Sequence, residues 1–293
     1  MKKSYLFKFL LVIGCVLFLA ACGTSGNSTE STDNAENTEN TGGSADSTSG
    51  EAEKLVVRVG TSPTYPPFES EVDGELTGFD IALIEKIAEV EGFDVEFSVL
   101  QFDGLIPALK AGQIDVVVGA LSITSTRMES VNFSNAYYES GLSILANPDS
   151  GINSFEDLNG KLIGIQKGTS SYNYMVENGI DDSNIKQYAD IATAYIALEN
   201  GGVDAILYDH PSNINYIQSQ ETDAQIVGDI LAGEHYGIAI SKEKEDILQK
   251  VNDGLAKLQE NGEYDKLFDE YLSGEKNGFI DGVVKPEDVV IDR

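Results

Sequence analysis

The chain has 293 residues, with 49 Asp and Glu against 19 Lys and Arg, a formal charge of −30 and two cysteines. So acidic a surface repels nucleic acid and anionic lipid headgroups, and two thiols are too few for a disulfide framework or a cysteine-built metal centre. Residues 54–293 are long enough for two domains of ordinary size, each with its own core.

Residues 1–8 carry Lys2, Lys3 and Lys8, and residues 9–21 are apolar but too short to cross a bilayer comfortably, the pattern of an export signal. The signal ends Leu19-Ala20-Ala21-Cys22, which resembles the lipobox of bacterial lipoproteins. That resemblance implies that Cys22 is diacylated, becomes the first residue of the mature chain and anchors it to the outer face of the cell membrane. Cys15 is then discarded with the signal. Residues 23–53 are Ser, Thr, Asn, Gly and Glu with almost nothing apolar, so they cannot bury enough surface to offset the entropy of ordering them. They read as a disordered tether.

In the body of the chain, residues 55–60 predict a strand, with Thr61-Ser62-Pro63-Thr64-Tyr65-Pro66-Pro67-Phe68 as a proline-set loop that places Tyr65 at its carboxyl end. Ile81, Ile84, Ile87 and Ala88 form a helical stripe closed by Gly92. A strand over 95–99 leads to a Phe102-Asp103-Gly104 loop and a helix over 105–111, with Pro107 tolerable in its first turn. The apolar run 114–118 predicts a strand buried on both faces of a parallel sheet. The loop after it, from Gly119 through Ala120 and Ser122 to Arg127, is small and hydroxylated and lies where open α/β sheets bind their ligands. Arg127 can grip a carboxylate with two parallel hydrogen bonds, and Ser122 offers a backbone N–H and a hydroxyl. The stretch reads as a clamp for the carboxylate and ammonium of an amino acid.

A strand over 142–146 runs into the turn-rich residues 147–151, read as the first crossing between domains. Ser154-Phe155-Glu156-Asp157 has the outline of a capped helix start. A strand over 162–165 exits through Gln166-Lys167-Gly168-Thr169-Ser170-Ser171 into a helix whose free N–H groups suit a small carboxylate, the spacing of a phosphate loop being absent. Then come a helix over 191–200, a strand over 205–207 that delivers Tyr208-Asp209, a helix over 211–218, and strands over 225–227 and 236–240, the last being the second crossing. Helices over 242–260 and 263–271 complete the first domain. A faint repeat pairs 108–118 with 197–207: helix end, glycine, aspartate, buried strand.

Gly60-Thr61-Ser62-Pro63-Thr64-Tyr65-Pro66-Pro67-Phe68-Glu69-Ser70, Gly74-Glu75-Leu76-Thr77-Gly78-Phe79-Asp80-Ile81, Leu105-Ile106-Pro107-Ala108-Leu109 and Leu121-Ser122-Ile123-Thr124 are similar to the histidine and lysine/arginine/ornithine receptors of the amino-acid-binding solute receptors, family 3. Phe102-Asp103-Gly104, Gly168-Thr169-Ser170 and Leu207-Tyr208-Asp209 look closer to the glutamine receptor. The resemblance implies an α/β fold of the periplasmic-binding-protein type II, two α/β lobes joined by a two-segment hinge. Lobe 1 is expected over 54–146 and 237–273, lobe 2 over 147–236, and a weakly patterned tail over 274–293. It also implies that Arg127 grips the substrate carboxylate with the N–H groups of Ser122 and Ser170, that Asp209, the Ala120 carbonyl and the Ser122 hydroxyl hold the ammonium, and that Tyr65 and Phe102 sandwich the side chain. Ser62 stands where basic-residue receptors carry an aspartate, and Gln166 where the glutamine receptor carries a lysine. Basic, glutamine and cystine ligands therefore all stay open; Glu69 and Asp103 could supply negative charge near the side-chain pocket, though in so acidic a chain both read first as exposed acids.

The expected partners are a polar amino acid, the permease of an ABC importer and the membrane through the lipid on Cys22, for a monomer with no cofactor. The rivals are a dehydratase-like enzyme on the same fold, disfavoured because only one carboxylate is evident at the site, and a sensory module, which calls for a signalling segment after the second lobe. His210 and His235 lack metal-ligand spacing and read as loop or surface residues.

Overall fold

The structure is a computed structural model and describes residues 54–272 and 278–291. The signal, Cys22 and the tether lie outside the described residues. Two five-stranded sheets organise the rest. In the first, the strands Asp94–Val99, Val56–Thr61 and Val116–Val117 run parallel in that order, and Ala239–Ile240 and Asn132–Phe133 follow antiparallel. In the second, Ile185–Tyr188, Ile163–Gln166 and Ala205–Asp209 run parallel, and Tyr138–Ala146 and Gln225–Tyr236 complete the sheet antiparallel. The strand–helix alternation of the sequence builds both, because parallel strands need a crossover that returns over the face of the sheet.

The repeat has a structural meaning. Gly112 and Gly201 both take left-handed backbone conformations, φ 68° and 70°, and end their helices. Asp115 then accepts a hydrogen bond from the backbone N–H of Arg58, and Asp204 accepts one from that of Leu162, each at the start of the neighbouring parallel strand. Each lobe uses the aspartate after the glycine to fix the register of its central strand pair.

Five expectations change. In place of separate strands over 225–227 and 236–240, Gln225–Tyr236 is one strand of the second sheet and Ala239–Ile240 belongs to the first, because Tyr236 still pairs with Tyr138. The strand over 142–146 was assigned to the first lobe, but Tyr138–Ala146 pairs with Ala205–Asp209 and Gln225–Tyr236, so it belongs to the second sheet. The connection therefore passes between lobes ahead of it, where Tyr138 stacks on Tyr236 with ring centres 5.4 Å apart. The helix expected from 105 is Phe102–Lys110, which puts Pro107 in its second turn and makes Phe102-Asp103 the helix start rather than a loop. Ser154–Asp157 makes the expected capping contact, the Asp157 carboxylate accepting from the Ser154 N–H and from that of Asn153, but it opens only a 3-10 turn, Glu156–Leu158, because Asn159 is extended. Finally, Thr64–Tyr65, Glu69–Val72 and Glu75–Thr77 form a small antiparallel sheet where a proline-set loop was expected. Asp73 and Gly74, both at positive φ, make its two-residue turn.

The tail is also ordered where it is described. Ile280 is buried against the first lobe, Val284 bridges Ala136, and Ile291 bridges Thr124.

Candidate functional site

All nine residues singled out from the sequence line one cleft between the lobes: Ser62, Tyr65, Phe102, Ala120, Ser122 and Arg127 from the first, Gln166, Ser170 and Asp209 from the second. Seven are buried, and Phe102 and Arg127 are half-buried. Each first-lobe residue follows the carboxyl end of a strand or sits on the small sheet there, and each second-lobe residue ends or follows a parallel strand. The lobes leave a cavity of only about 10 Å³ among these residues, so the cleft is nearly shut.

Arg127 sits in the one-turn helix Ser125–Met128, whose start is capped by the Thr124 hydroxyl accepting from the Arg127 N–H. Its guanidinium donates to the Ser122 carbonyl at 2.7 Å and, across the cleft, to the Gly168 carbonyl at 3.0 Å. It lies 5.9 Å from the centre of the Phe102 ring, within cation–π range. Burial pulls its pKa below the usual arginine range, opposed by the charges of Glu234 and Asp209. Those acids and the ring hold a charge that burial disfavours.

The loop before Arg127 is held from behind. Ala120 has φ 46°, a left-handed conformation that costs an alanine about 1 kcal/mol. Asp80, fully buried on the helix Phe79–Glu91, accepts from the Ala120 N–H at 2.7 Å and from the Tyr137 hydroxyl at 2.8 Å. These bonds stabilise that conformation. The Ser122 hydroxyl donates to Glu234 at 2.8 Å, which ties the loop to the crossing strand Gln225–Tyr236.

Asp209 ends its strand with one carboxylate oxygen accepting from the Tyr236 hydroxyl at 2.6 Å; the Tyr65 hydroxyl lies 3.3 Å from the same oxygen and 2.9 Å from the Tyr236 hydroxyl. Burial, and next the charge of Glu234, push its carboxyl up to about 7. Gln166 accepts from the Tyr208 hydroxyl at 2.5 Å, and the Ser170 hydroxyl is buried without a partner at the start of the helix Ser170–Glu177. Tyr65 stacks on Phe68 at 5.3 Å and meets Tyr208 edge-on at 5.7 Å. At the mouth, Lys167 and Asp103 pair across the lobes at 2.7 Å.

Thr64, Glu69, Gly119, Thr169 and Tyr208 also line the cleft, and Tyr236 and Glu234 brace it. Glu69 is the main correction: it is not an exposed acid but 1% exposed, and so a second carboxyl beside Asp209. Reading Pro66-Pro67-Phe68 as the turn between two paired strands would have found it, because that register pairs Glu69 with Tyr65 and so sets both on one face. His210 and His235 are half-buried and are not among the lining residues. Among the described residues no group of three or more His, Cys, Asp and Glu is arranged to hold a metal ion.

Two α/β lobes with a polar cleft at facing strand ends define a type II periplasmic-binding protein, and solved proteins of that architecture superpose on this one. An ancestral arginine-binding protein bound to arginine matches with TM-score 0.69 and 37% identity, covering 75% of this chain and 99% of its own. The same ancestral protein bound to glutamine matches with TM-score 0.70 over 75% and 98%. Residues 57–274 match the bacterial extracellular solute-binding proteins, family 3, and the chain belongs to that family. Among curated relatives, a probable histidine-binding protein of Campylobacter jejuni is 35% identical over 77% of this chain and 89% of its own length. An arginine-binding extracellular protein of Bacillus subtilis is 30% identical over 94% and 100%.

Proposed function

We propose that this chain is a lipid-anchored extracytoplasmic receptor that closes its two lobes on a polar L-amino acid and delivers it to the permease of an ABC importer. The observation that carries the reading is that a guanidinium from one lobe, Arg127, and a carboxylate from the other, Asp209, line the same cleft. An amino acid is a fixed pair of opposite charges, so it satisfies both groups only when the lobes are together. Its affinity is then greater for the closed state than for the open one, which is what a ligand-driven hinge requires. Arg127, with the N–H groups of Ser122 and Ser170, takes the carboxylate. Asp209 takes the ammonium with the Ala120 carbonyl and the Ser122 hydroxyl. Ser62, Tyr65, Phe102 and Gln166 surround the side chain. Cys22 carries the lipid, the tether gives the monomer its reach, and no cofactor takes part.

A dehydratase on this fold would need a general acid over its substrate, and Glu69 stands where one could act. The relatives named above are binding proteins, which favours the receptor. A thermal-shift screen of the twenty amino acids with ornithine and cystine tests this, since a ligand that binds only the native state stabilises it by about 2.7 kcal/mol at a hundredfold excess over Kd. A rise in Tm with an amino acid recovered unchanged supports the receptor, and silence across the set refutes it. Replacing Cys22 with Ala should release the protein from the cell surface.

A further inference from the structure

Counting charges in the cleft gives an odd number. A zwitterion's carboxylate and ammonium answer Arg127 and Asp209, which among the described residues are the one cation and one of the two carboxyls that line it. Glu69 is left over. It is 1% exposed, and neither of its oxygens has a hydrogen-bond partner among the described residues. Burying a carboxylate unpaired is among the most expensive arrangements a protein can adopt, so such a group either holds a proton or meets a cation.

The surroundings are built to leave this carboxyl available. Glu69 is the cross-strand partner of Tyr65, whose ring forms the adjacent wall. The loop opposite is bare there: a Cβ added at Gly119 would stand 3.4 Å from the nearer Glu69 oxygen. Asp80, behind the same loop, is already committed to the Ala120 N–H and the Tyr137 hydroxyl and brings only further negative charge. Glu69, Arg127 and Asp209 line the same cleft, so the ammonium seat and the spare carboxyl face one ligand.

We infer that Glu69 seats a cationic side-chain head group, and that the receptor's ligand is a basic amino acid of the arginine, lysine or ornithine type. The inference rests on the proposed function. With the cleft empty Glu69 holds a proton, since burial and the neighbouring charges of Asp80 and Asp209 push its carboxyl well above the usual range. An entering guanidinium or ammonium replaces that proton, which leaves to buffer as the ion pair forms.

Arginine and citrulline separate charge from shape, because a ureido group replaces the guanidinium at the same chain length. Calorimetry on the full chain should find arginine bound roughly 100-fold more tightly than citrulline, the scale of a buried charge pair against one partner left alone. Glu69→Gln should collapse that ratio to within a few-fold, since only arginine loses a charge partner. A structural role would weaken both ligands alike. Titrations of the unmodified protein in buffers of different ionisation heat should show proton release with arginine and none with citrulline, a readout that needs no variant to fold. Equal affinity for the two ligands, an unchanged ratio in Glu69→Gln, or no proton release would overturn the inference. Tight binding of glutamine or cystine that depends on Arg127, with no basic ligand bound, would overturn it while leaving the receptor standing. Failure of every amino acid to bind would remove both.

Discussion

The phenol of Tyr236 donates a 2.6 Å hydrogen bond to the carboxylate of Asp209, joining the end of one crossing strand to the acid that faces the cleft. Tyr236 also shares a hydrogen bond with Tyr65 at 2.9 Å, so the acid, the wall of the cleft and the hinge form one connected network. Removing the hydroxyl with Tyr236→Phe leaves a buried carboxylate short of a donor. Ligand affinity should fall about tenfold, the scale of one hydrogen bond to a charged group. Calorimetry checks this, and an unchanged Kd would show that Asp209 does not depend on the hinge.

The same carboxyl sets a pH dependence. Asp209, raised to about 7 from 3.8 first by burial and then by Glu234, and Asp80, raised to about 7 by burial, both bind protons more tightly in the folded state. Their contribution to the empty protein's stability is therefore complete below the usual carboxylate range and is lost as pH rises through about 7. Ammonium binding needs Asp209 ionised and runs the other way. Between about pH 5 and about pH 8 the empty protein should lose Tm while amino-acid affinity rises. Affinity that is flat over that range contradicts the ammonium seat.

Asp115 behaves oppositely. Burial works against its charge, but the Arg58 side-chain and backbone bonds outweigh it and hold the carboxyl below its ordinary range. Its stabilisation is present above that range and is lost as pH falls through the depressed pKa. Asp115→Ala at neutral pH should cost about 2–3 kcal/mol, at the lower end for a broken pair because Arg58 is 40% exposed, without altering ligand affinity. Chemical denaturation and calorimetry measure the two halves of that statement.

Gly168 tests closure. It has φ 84°, its carbonyl accepts from Arg127, and an added Cβ would stand 3.0 Å from the Asp103 Cα across the cleft. Gly168→Ala wedges the lobes and strains the loop, so affinity should drop at least tenfold, with a larger radius of gyration in the presence of ligand, readable by small-angle scattering. A variant that still compacts with ligand would show that the contact is not part of the closed state.

The tail braces the clamp. Ile291 donates to the Ile123 carbonyl at 3.2 Å and accepts from the Ser125 N–H at 2.9 Å, while Ile123 donates on its other side to His235 at 2.9 Å. The strand leading to Arg127 is thus held from both edges. Ile291→Pro removes one donor. It should speed hydrogen exchange at Ser125 and weaken binding a few-fold with little change in Tm. Exchange at Ser125 that stays slow would exclude the bracing role.

Most of the cleft was legible because its residues follow strand ends, and buried β-branched runs mark those ends clearly. Ser122, Arg127 and Asp209 needed only that rule. Glu69 escaped it because Pro66-Pro67-Phe68 reads as a loop rather than as the turn between paired strands, and without that pairing a glutamate after proline and phenylalanine looks like any solvated acid. Glu234 and Tyr236 were hidden for another reason: Gln225–Tyr236 is one long strand with irregular register, and alternation does not reveal which end meets the other lobe. The strand over 142–146 went to the wrong lobe because sheet membership is set by pairing between segments distant in sequence. The tail's short contacts carry no periodicity at all.

The account turns on Arg127 holding the ligand's carboxylate while Asp209 holds its ammonium. The most direct test is a calorimetric titration of Arg127→Ala with whichever amino acid binds the unmodified protein most tightly, beside a melting curve showing the variant folded. Binding weakened by a factor of about 100 or more, with the fold intact, is the predicted result. Affinity within a few-fold of the unmodified protein would contradict it.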